Sequence, residues 1–269
     1  MVNKISVVIP CYNMGHYIGE TLDSVLNYST KYDIEVLIIN DGSDDGTTEA
    51  LLKKLDNPII RVIHQENKGL SNARNTGINL AQSEFIILLD ADNKISEGYF
   101  NKGLSILKNN ENIGLVFGNV QYFGDDDHYH KPGEFSIVRL LRKNYIDACI
   151  LLRKSAFNSV GGYDENMLIG FEDWDLNIRI FFKGWKIYYV DELCFHYRIK
   201  KVSMLTKANE KRQEIINYMF SKPKLRDAME LRKIILNSDS TTAELKSITQ
   251  RKMMKLAMRV ERMLKSFKS

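Results

Sequence analysis

Four short apolar runs punctuate the first 90 residues, and a stretch with helical spacing follows each of the first three. The runs are "KISVVI" (4–9), "IEVLIIN" (34–40), "IIRVIHQ" (59–65) and "EFIILLD" (84–90). Between them, "MGHYIGETLDSVLNYS" (14–29) sets Ile18, Leu22, Val25 and Leu26 on one helical stripe, and "GTTEALLKKL" (46–55) and "LSNARNTGINLA" (70–81) read as helices. Short, continuously apolar strands alternating with helices mark parallel strands covered on both faces. The predicted fold is an α/β protein with an open, mainly parallel sheet flanked by helices. In such sheets ligands sit beyond the carboxyl ends of the strands. The polar segments "PCYN", "NDGSDDG" and "DADN" fall there.

The second half is less regular. "IGLVFGNVQYF" (113–123) reads as a strand, "GDDDHYHKPGEF" (124–135) as a loop, and "IDACILLRKSAF" (146–157) as a strand running into a helix. "FEDWDLNIRIFFKG" (171–184) reads as a helix stopped by Gly184, and "WKIYYV" (185–190) as a strand. From about residue 206 onward only helical patterns appear. The expected division is a main domain over 1–205, in two halves at about 1–93 and 94–205, and a basic helical extension over 206–269.

Charge supports that division. Residues 1–200 carry 21 Lys and Arg against 27 Asp and Glu, a net of −6, whereas residues 201–269 carry 17 against 7, a net of +10. No apolar stretch approaches the ~18 residues that span a bilayer, and "MVNKISVVIP" has no small-residue cleavage site. Three scattered cysteines, Cys11, Cys149 and Cys194, suit a reducing cytosol and argue against a disulfide framework or zinc ribbon. Aromatics do not interleave with basic residues in the body, so nucleic acid is not an expected partner. The absence of G-x-G-x-x-G and of a Walker A loop weighs against dinucleotide and P-loop chemistry.

Five constellations carry candidate chemistry. Asp90 and Asp92 follow the fourth run. In an extended chain they would point to one side, roughly 7 Å apart at Cα. Such a pair suits a divalent cation and the phosphates it binds; the competing reading is an acidic turn completed by Asn93. Asp41 follows the second run directly and can accept from a nucleobase N–H, while Tyr12 can stack on the base. Asp44, Asp45 and Gly46 read instead as turn and cap chemistry. Lys68 and Arg74 can supply positive charge to a base or diphosphate, or simply cap and solvate a helix. Glu172 and Asp173 open a helix, where acids are favoured by its dipole; the functional alternative is a general base. In "CFHYRIKKVSML" (194–205), His196 could ligate a metal and Arg198 and Ser203 could hold phosphate. A single His after a strand is more often structural.

Together, "VVIPCYN", "INDGSDDGT", "NKGLSNARNTGI", "LLDADN", "GGYDENMLIGFEDWDLNIR" and "FHYR" resemble the family 2 glycosyltransferases of the GT-A fold, over about residues 4–203. The resemblance implies an inverting enzyme with a nucleotide-sugar donor, usually UDP-linked, and a Mn²⁺ or Mg²⁺ ion. It implies that Pro10, Tyr12 and Asp41 line the nucleoside pocket with Arg74 near the base, and that Asp90 contacts the ribose or the metal shell. Asp92 and His196 would ligate the metal. Asp173 would be the catalytic base with Glu172 placing the acceptor, and Arg198 and Ser203 would close over the diphosphate. The acceptor would be a glycan or lipid-linked oligosaccharide in surface polysaccharide synthesis. The Gln-x-x-Arg-Trp motif of processive members is absent, so one sugar per encounter is expected. A non-catalytic GT-A-like nucleotide-binding or scaffold protein is the alternative; retention of Asp41, Asp90, Asp92 and Asp173 speaks against it.

In "RKMMKLAMRVERMLKSFKS" (251–269), Met253, Leu256, Ala257, Val260, Met263, Leu264 and Phe267 fall at helical spacing among seven basic residues and Glu261. That pattern fits a basic amphipathic helix on an anionic membrane surface, hence a protein peripheral on the cytoplasmic face. Packing on the domain, or on a second copy as a homodimer, is the competing reading.

Overall fold

The computed structural model describes residues 4–200 and 208–238, together with Leu256 and Met258. Its first half follows the apolar runs. β1 (Ile5–Cys11), α1 (Ile18–Leu26), β2 (Ile34–Asp41), α2 (Thr47–Leu52), β3 (Ile60–Gln65), α3 (Leu70–Leu80) and β4 (Phe85–Leu88) alternate along the chain. The four strands pair in parallel in the order β3-β2-β1-β4. Every residue of β1, β2 and β4 is buried. β3 is only partly buried because it is the edge strand, with a neighbour on one side alone.

Successive side chains of a strand point to opposite faces, and here each face meets its own layer. Val7, Ile9, Val36, Ile38 and Ile87 pack with Leu22, Val25 and Leu52. Val8, Leu37, Ile86 and Leu88 pack with Ile78, Phe157 and Trp174 on the other side. Helix α3 lies so close to the sheet that a Cβ on Gly77 would collide with Val8 and Ile39. The glycine of "NTGI" is therefore a packing residue.

The second half completes the sheet. It runs β5 (Lys94–Ile95), a π turn (Tyr99–Gly103) leading into α4 (Leu104–Asn109), β6 (Ile113–Gly124), β7 (Tyr129–His130), α5 (Ile137–Arg142), β8 (Leu151–Arg153), α6 (Lys154–Val160), α7 (Glu172–Phe182) and β9 (Lys186–Ile199). The sheet order continues β4-β8-β6-β9-β5, with β7 on β6. β8 runs antiparallel to β4 and β6, and β9 parallel to β6, so the sheet is parallel through its first half and mixed beyond it. β9 extends to Ile199, well past the predicted end at 190. The pairing partner of Gly118 is Val190 and that of Asn119 is Leu193, so Asp191 and Glu192 are looped out as a bulge. That acidic pair hides the continuation of the strand from a reading of apolar runs. α4 and α5 were not predicted; α5 has six residues, too few to show a period, though Ser136 Oγ caps it by accepting from Arg139 N at 3.3 Å.

Among the described residues that follow are the helices α8 (Arg212–Ser221) and α9 (Arg226–Ser238). Their Ile215, Ile216, Met219, Phe220, Ala228 and Ile235 belong to the same core cluster as Trp174. Lys222 between them reaches Asp164 at 2.5 Å and Asp175 at 2.8 Å. The described part of the expected extension thus shares the core of the main body. The amphipathic tail expected over 251–269 lies outside the described residues except for Leu256, which is buried, and Met258, which is exposed. Among the described residues no helix is long and apolar enough to cross a membrane.

Candidate active site

The polar segments gather at the carboxyl ends of β1, β2 and β4, and the loops there are laced together. Pro10 lies inside buried β1, where a missing N–H is usually costly. Leu89 N donates to Val8 O at 3.1 Å, and Pro10, two residues on, faces the same side after β4 pairing has ended. Tyr12 is 42% exposed. Asn13, with φ of 56°, donates from its side chain to Asp44 at 2.7 Å and from its backbone to Ser43 Oγ at 3.0 Å. Asp45 Oδ1 accepts from Thr48 N at 2.9 Å, the cap role expected of it. Asp41 is buried, and both its oxygens are taken up. Gln65 Nε2 and Lys68 N reach Oδ1 at 2.7 and 2.9 Å, and Gly69 N reaches Oδ2 at 2.9 Å. Asp41 therefore fastens the loop that carries exposed Lys68 to the carboxyl end of β2.

Asp90 and Asp92 sit in a turn beyond β4, closed by Asn93 N donating to Asp90 O at 3.1 Å. The extended spacing expected for them does not form, because strand pairing ends at Leu88. Arg74 supplies the counter-charge of one of the two, Asp90. It is buried, donates to Asp90 at 2.8 Å and to Glu172 at 2.5 Å, and lies 5.5 Å from the centre of the Tyr163 ring. The reading of it as part of a solvated face fails, because it joins the turn after β4 to the start of α7. Asp92 pairs with Lys200 at 2.5 Å. Burial, then the neighbouring Asp90 charge, push the Asp92 carboxyl above its ordinary range.

Arg198 brackets the same turn. Its backbone N donates to Asn93 Oδ1 at 3.0 Å, its Nε to Asp92 O at 3.1 Å, and its guanidinium reaches Glu20 at 3.0 Å. His196 pairs across the strands with Lys94, and its ring sits 6.3 Å from Phe123. Phe195 and Tyr197 line the large cavity described next, so His196 lies on the opposite face of β9. Ser203 falls outside the described residues.

A cavity of about 1090 Å³ opens beside this turn, lined by Asp90, Arg74, Asp147, Glu172 and Asp173 among others. The backbone turns sharply into it: Gly170 has φ of 125° and Phe171, the residue before α7, φ of 63°. A bulky residue in the left-handed region is strained, and such strain clusters at functional sites. Glu172 is buried on Arg74. Asp173 accepts from Asn144 Nδ2 at 2.8 Å and from Trp174 N at 2.8 Å. Burial, reinforced by the Glu172 charge, pushes its carboxyl up to about 7. Asp147, which accepts from Cys149 N at 3.0 Å, is likewise pushed up to about 7, chiefly by burial. Asn144, Asp147 and Lys200 were missed in the sequence. Asp147 had a signal in "IDACI", an acid opening an apolar run; Lys200 and Asn144 had none.

Asp90 and Asp92 have the chemistry of a site for Mn²⁺ or Mg²⁺, which take one or two carboxylates and complete their shells with substrate phosphates. Lys200 supplies a positive charge to Asp92, as such an ion would. Among the described residues no group of three His, Cys, Asp or Glu side chains is placed to hold a metal, and His196 faces away from the cavity side of β9.

The comparisons with known proteins agree with this fold. Similar solved structures include residues 1–349 of TarS from S. aureus in complex with UDP-GlcNAc, with a TM-score of 0.69 and 18% identity over 87% of this chain and 70% of that one. Among curated relatives, the poly-beta-1,6-N-acetyl-D-glucosamine synthase of Staphylococcus aureus (strain COL) is 31% identical over 69% of this chain and 47% of its own length. Glycosyltransferase GlyA of Streptococcus pneumoniae serotype 4 is 28% identical over 75% of this chain and 31% of its own length. The chain thus spans less than half the length of these two relatives. The model of the family described as Glycosyl transferase family 2 matches residues 6–172, from the start of β1 to Glu172, and the chain belongs to that family.

Proposed function

We propose that the chain transfers a sugar, with inversion, from a UDP-sugar to a hydroxyl of a glycan or lipid-linked acceptor, in surface polysaccharide synthesis. The observation that carries this reading is Asp173: a carboxylate on the cavity wall, oriented by Asn144 and pushed up to about 7. A general base is most effective when its pKa lies near the working pH. The acceptor hydroxyl gives its proton to Asp173 as its oxygen bonds to the anomeric carbon. The anomeric C–O bond to the diphosphate breaks, and the electron pair leaves with the nucleoside diphosphate. When bound at Asp90 and Asp92, a Mn²⁺ or Mg²⁺ ion supplies neutralising charge to that leaving group. Arg74 holds Glu172 in place beside the base, and Tyr12, Asp41 and Lys68 frame the nucleoside side. Arg198 and Lys200 hold the turn after β4. The names of the synthase and of the UDP-GlcNAc complex support the polymer and donor parts of the reading.

The test is turnover of a panel of UDP-sugars with Mn²⁺ or Mg²⁺, with Asp92→Ala and Asp173→Asn as controls. Metal-dependent turnover lost in both variants is expected. Absence of turnover in every metal and acceptor screen would favour the non-catalytic binding protein. We also propose that the basic tail holds the protein on anionic membranes; deletion of residues 245–269 should abolish binding to anionic liposomes, and unchanged binding sinks that idea.

A further inference from the structure

The cavity carries two kinds of charge that do not neutralise each other. Arg74 takes up Asp90 and Glu172, and Asn144 holds Asp173. The same cavity is also lined by Arg139 and Lys143 from the α5 segment and Arg212 from α8. The Arg139 guanidinium lies 4.0 Å over the Tyr145 ring and donates to Pro132 O at 2.7 Å. Arg212 lies 5.3 Å over Phe171 and 5.7 Å over Trp174, the residues that flank Glu172 and Asp173. None of the three pairs with a carboxylate among the described residues. Aromatic faces fix the direction of a guanidinium without cancelling its charge. Three like charges from two elements line one cavity, and they make a positive field that a bound anion relieves. His130, on the same cavity wall, feels that field: burial first, then His128, Arg139 and Lys143, hold its pKa below the usual value.

The cations stand one step from the base. Lys143 precedes Asn144, which holds Asp173, and Arg212 covers the rings on either side of the Glu172–Asp173 pair. Asp41 and Asp92, on the nucleoside side, do not line this cavity. We propose that the acceptor is itself an anion, a chain whose phosphodiester or carboxylate groups seat on Arg139, Lys143 and Arg212 while one of its hydroxyls reaches Asp173. This rests on the glycosyltransferase reading and names the chemical class of its acceptor.

The experiment measures binding of three fluorescent probes to the full chain without donor: a glycerol phosphate tetramer, a galacturonate tetramer and neutral maltotetraose. At least one anionic probe should bind about tenfold more tightly than the neutral one, a difference of one decade in Kd. The double variant Lys143→Gln/Arg212→Gln should lose that advantage. Lys54→Gln/Lys108→Gln, which removes the same charge from exposed sites elsewhere, should keep it. Arg212→Lys, in the wild-type background, guards against a folding defect and should retain most of the binding. Preference for the phosphate probe assigns a phosphodiester acceptor, and preference for galacturonate assigns a carboxylate one. Equal binding of all three probes, or equal loss in both double variants, overturns the proposal. So does a parallel loss of UDP-sugar binding, which would assign the cations to the donor. Donor turnover is assayed separately, so failure of the enzymatic reading appears there and leaves the probe result standing.

Discussion

Arg74 shows how far a single residue can depart from its reading in sequence. Its side chain is 2% exposed and that of Glu172 is 6% exposed, so the pair has left water almost completely. Removing one partner of a buried pair strands the other charge, at a cost of about 3–5 kcal/mol. Arg74→Met is expected to destabilise by that amount in urea unfolding, and Arg74→Lys to recover little, because an ammonium lacks the fork that serves Asp90 and Glu172 together. A near-neutral effect of Arg74→Met would refute the bridge. Asp173→Asn tests the neighbouring role: kcat should fall about 10²–10⁴-fold with donor affinity unchanged, since a base acts on the chemical step. In sequence, Asp41 and Asp90 stood out as candidates because each follows an apolar run. The partners were not: Asp41 spends its oxygens on loop amides, and Arg74 reaches across 98 positions to Glu172.

At the scale of elements, apolar runs predicted β1 to β4 and the helices between them because burial on both faces leaves a strong local signal. Elements held by distant contacts left less. β9 continues through an acidic bulge, and α5 is six residues whose Leu140 O accepts from Trp174 Nε1 at 2.6 Å. The C-terminal helices were legible as helices, yet not as core. Phe220 of α8 is buried with its ring 6.3 Å from that of Trp174. Phe220→Ala should therefore cost about 3–5 kcal/mol, the range for a large aromatic truncated in a packed core. A chain cut after residue 211 should fail to give a cooperative thermal transition. If it melts cooperatively near the full-length temperature, α8 is dispensable and the packing argument fails.

At the scale of the whole molecule, the acids of the cavity tie activity to stability in opposite directions. Asp147 and Asp173 have their carboxyls moved from 3.8 to about 7 by burial. Between those values the folded chain binds protons that the unfolded chain has released. Stability must then fall as pH rises through that range, because unfolding is favoured wherever the unfolded state holds fewer protons. Asp164 works the other way: its interactions with Lys222 and nearby donors outweigh its burial and bring it down to about 2, so its contribution is full above 3.8 and is lost only in acid. The cavity pair thus contributes a falling slope between pH 4 and 7. Asp147→Asn mimics the protonated form at every pH. Its stability relative to the wild type should be lowest near pH 4, climb as pH rises to 7, and level off above. Over the same range the transfer rate of the wild type should rise, since Asp173 must lose its proton before it can accept one from the acceptor. Urea melts of both proteins at pH 4, 5.5, 7 and 8 decide the matter: parallel stability curves would mean that Asp147 titrates as an ordinary surface carboxylate, and that the cavity does not hold its acids out of water.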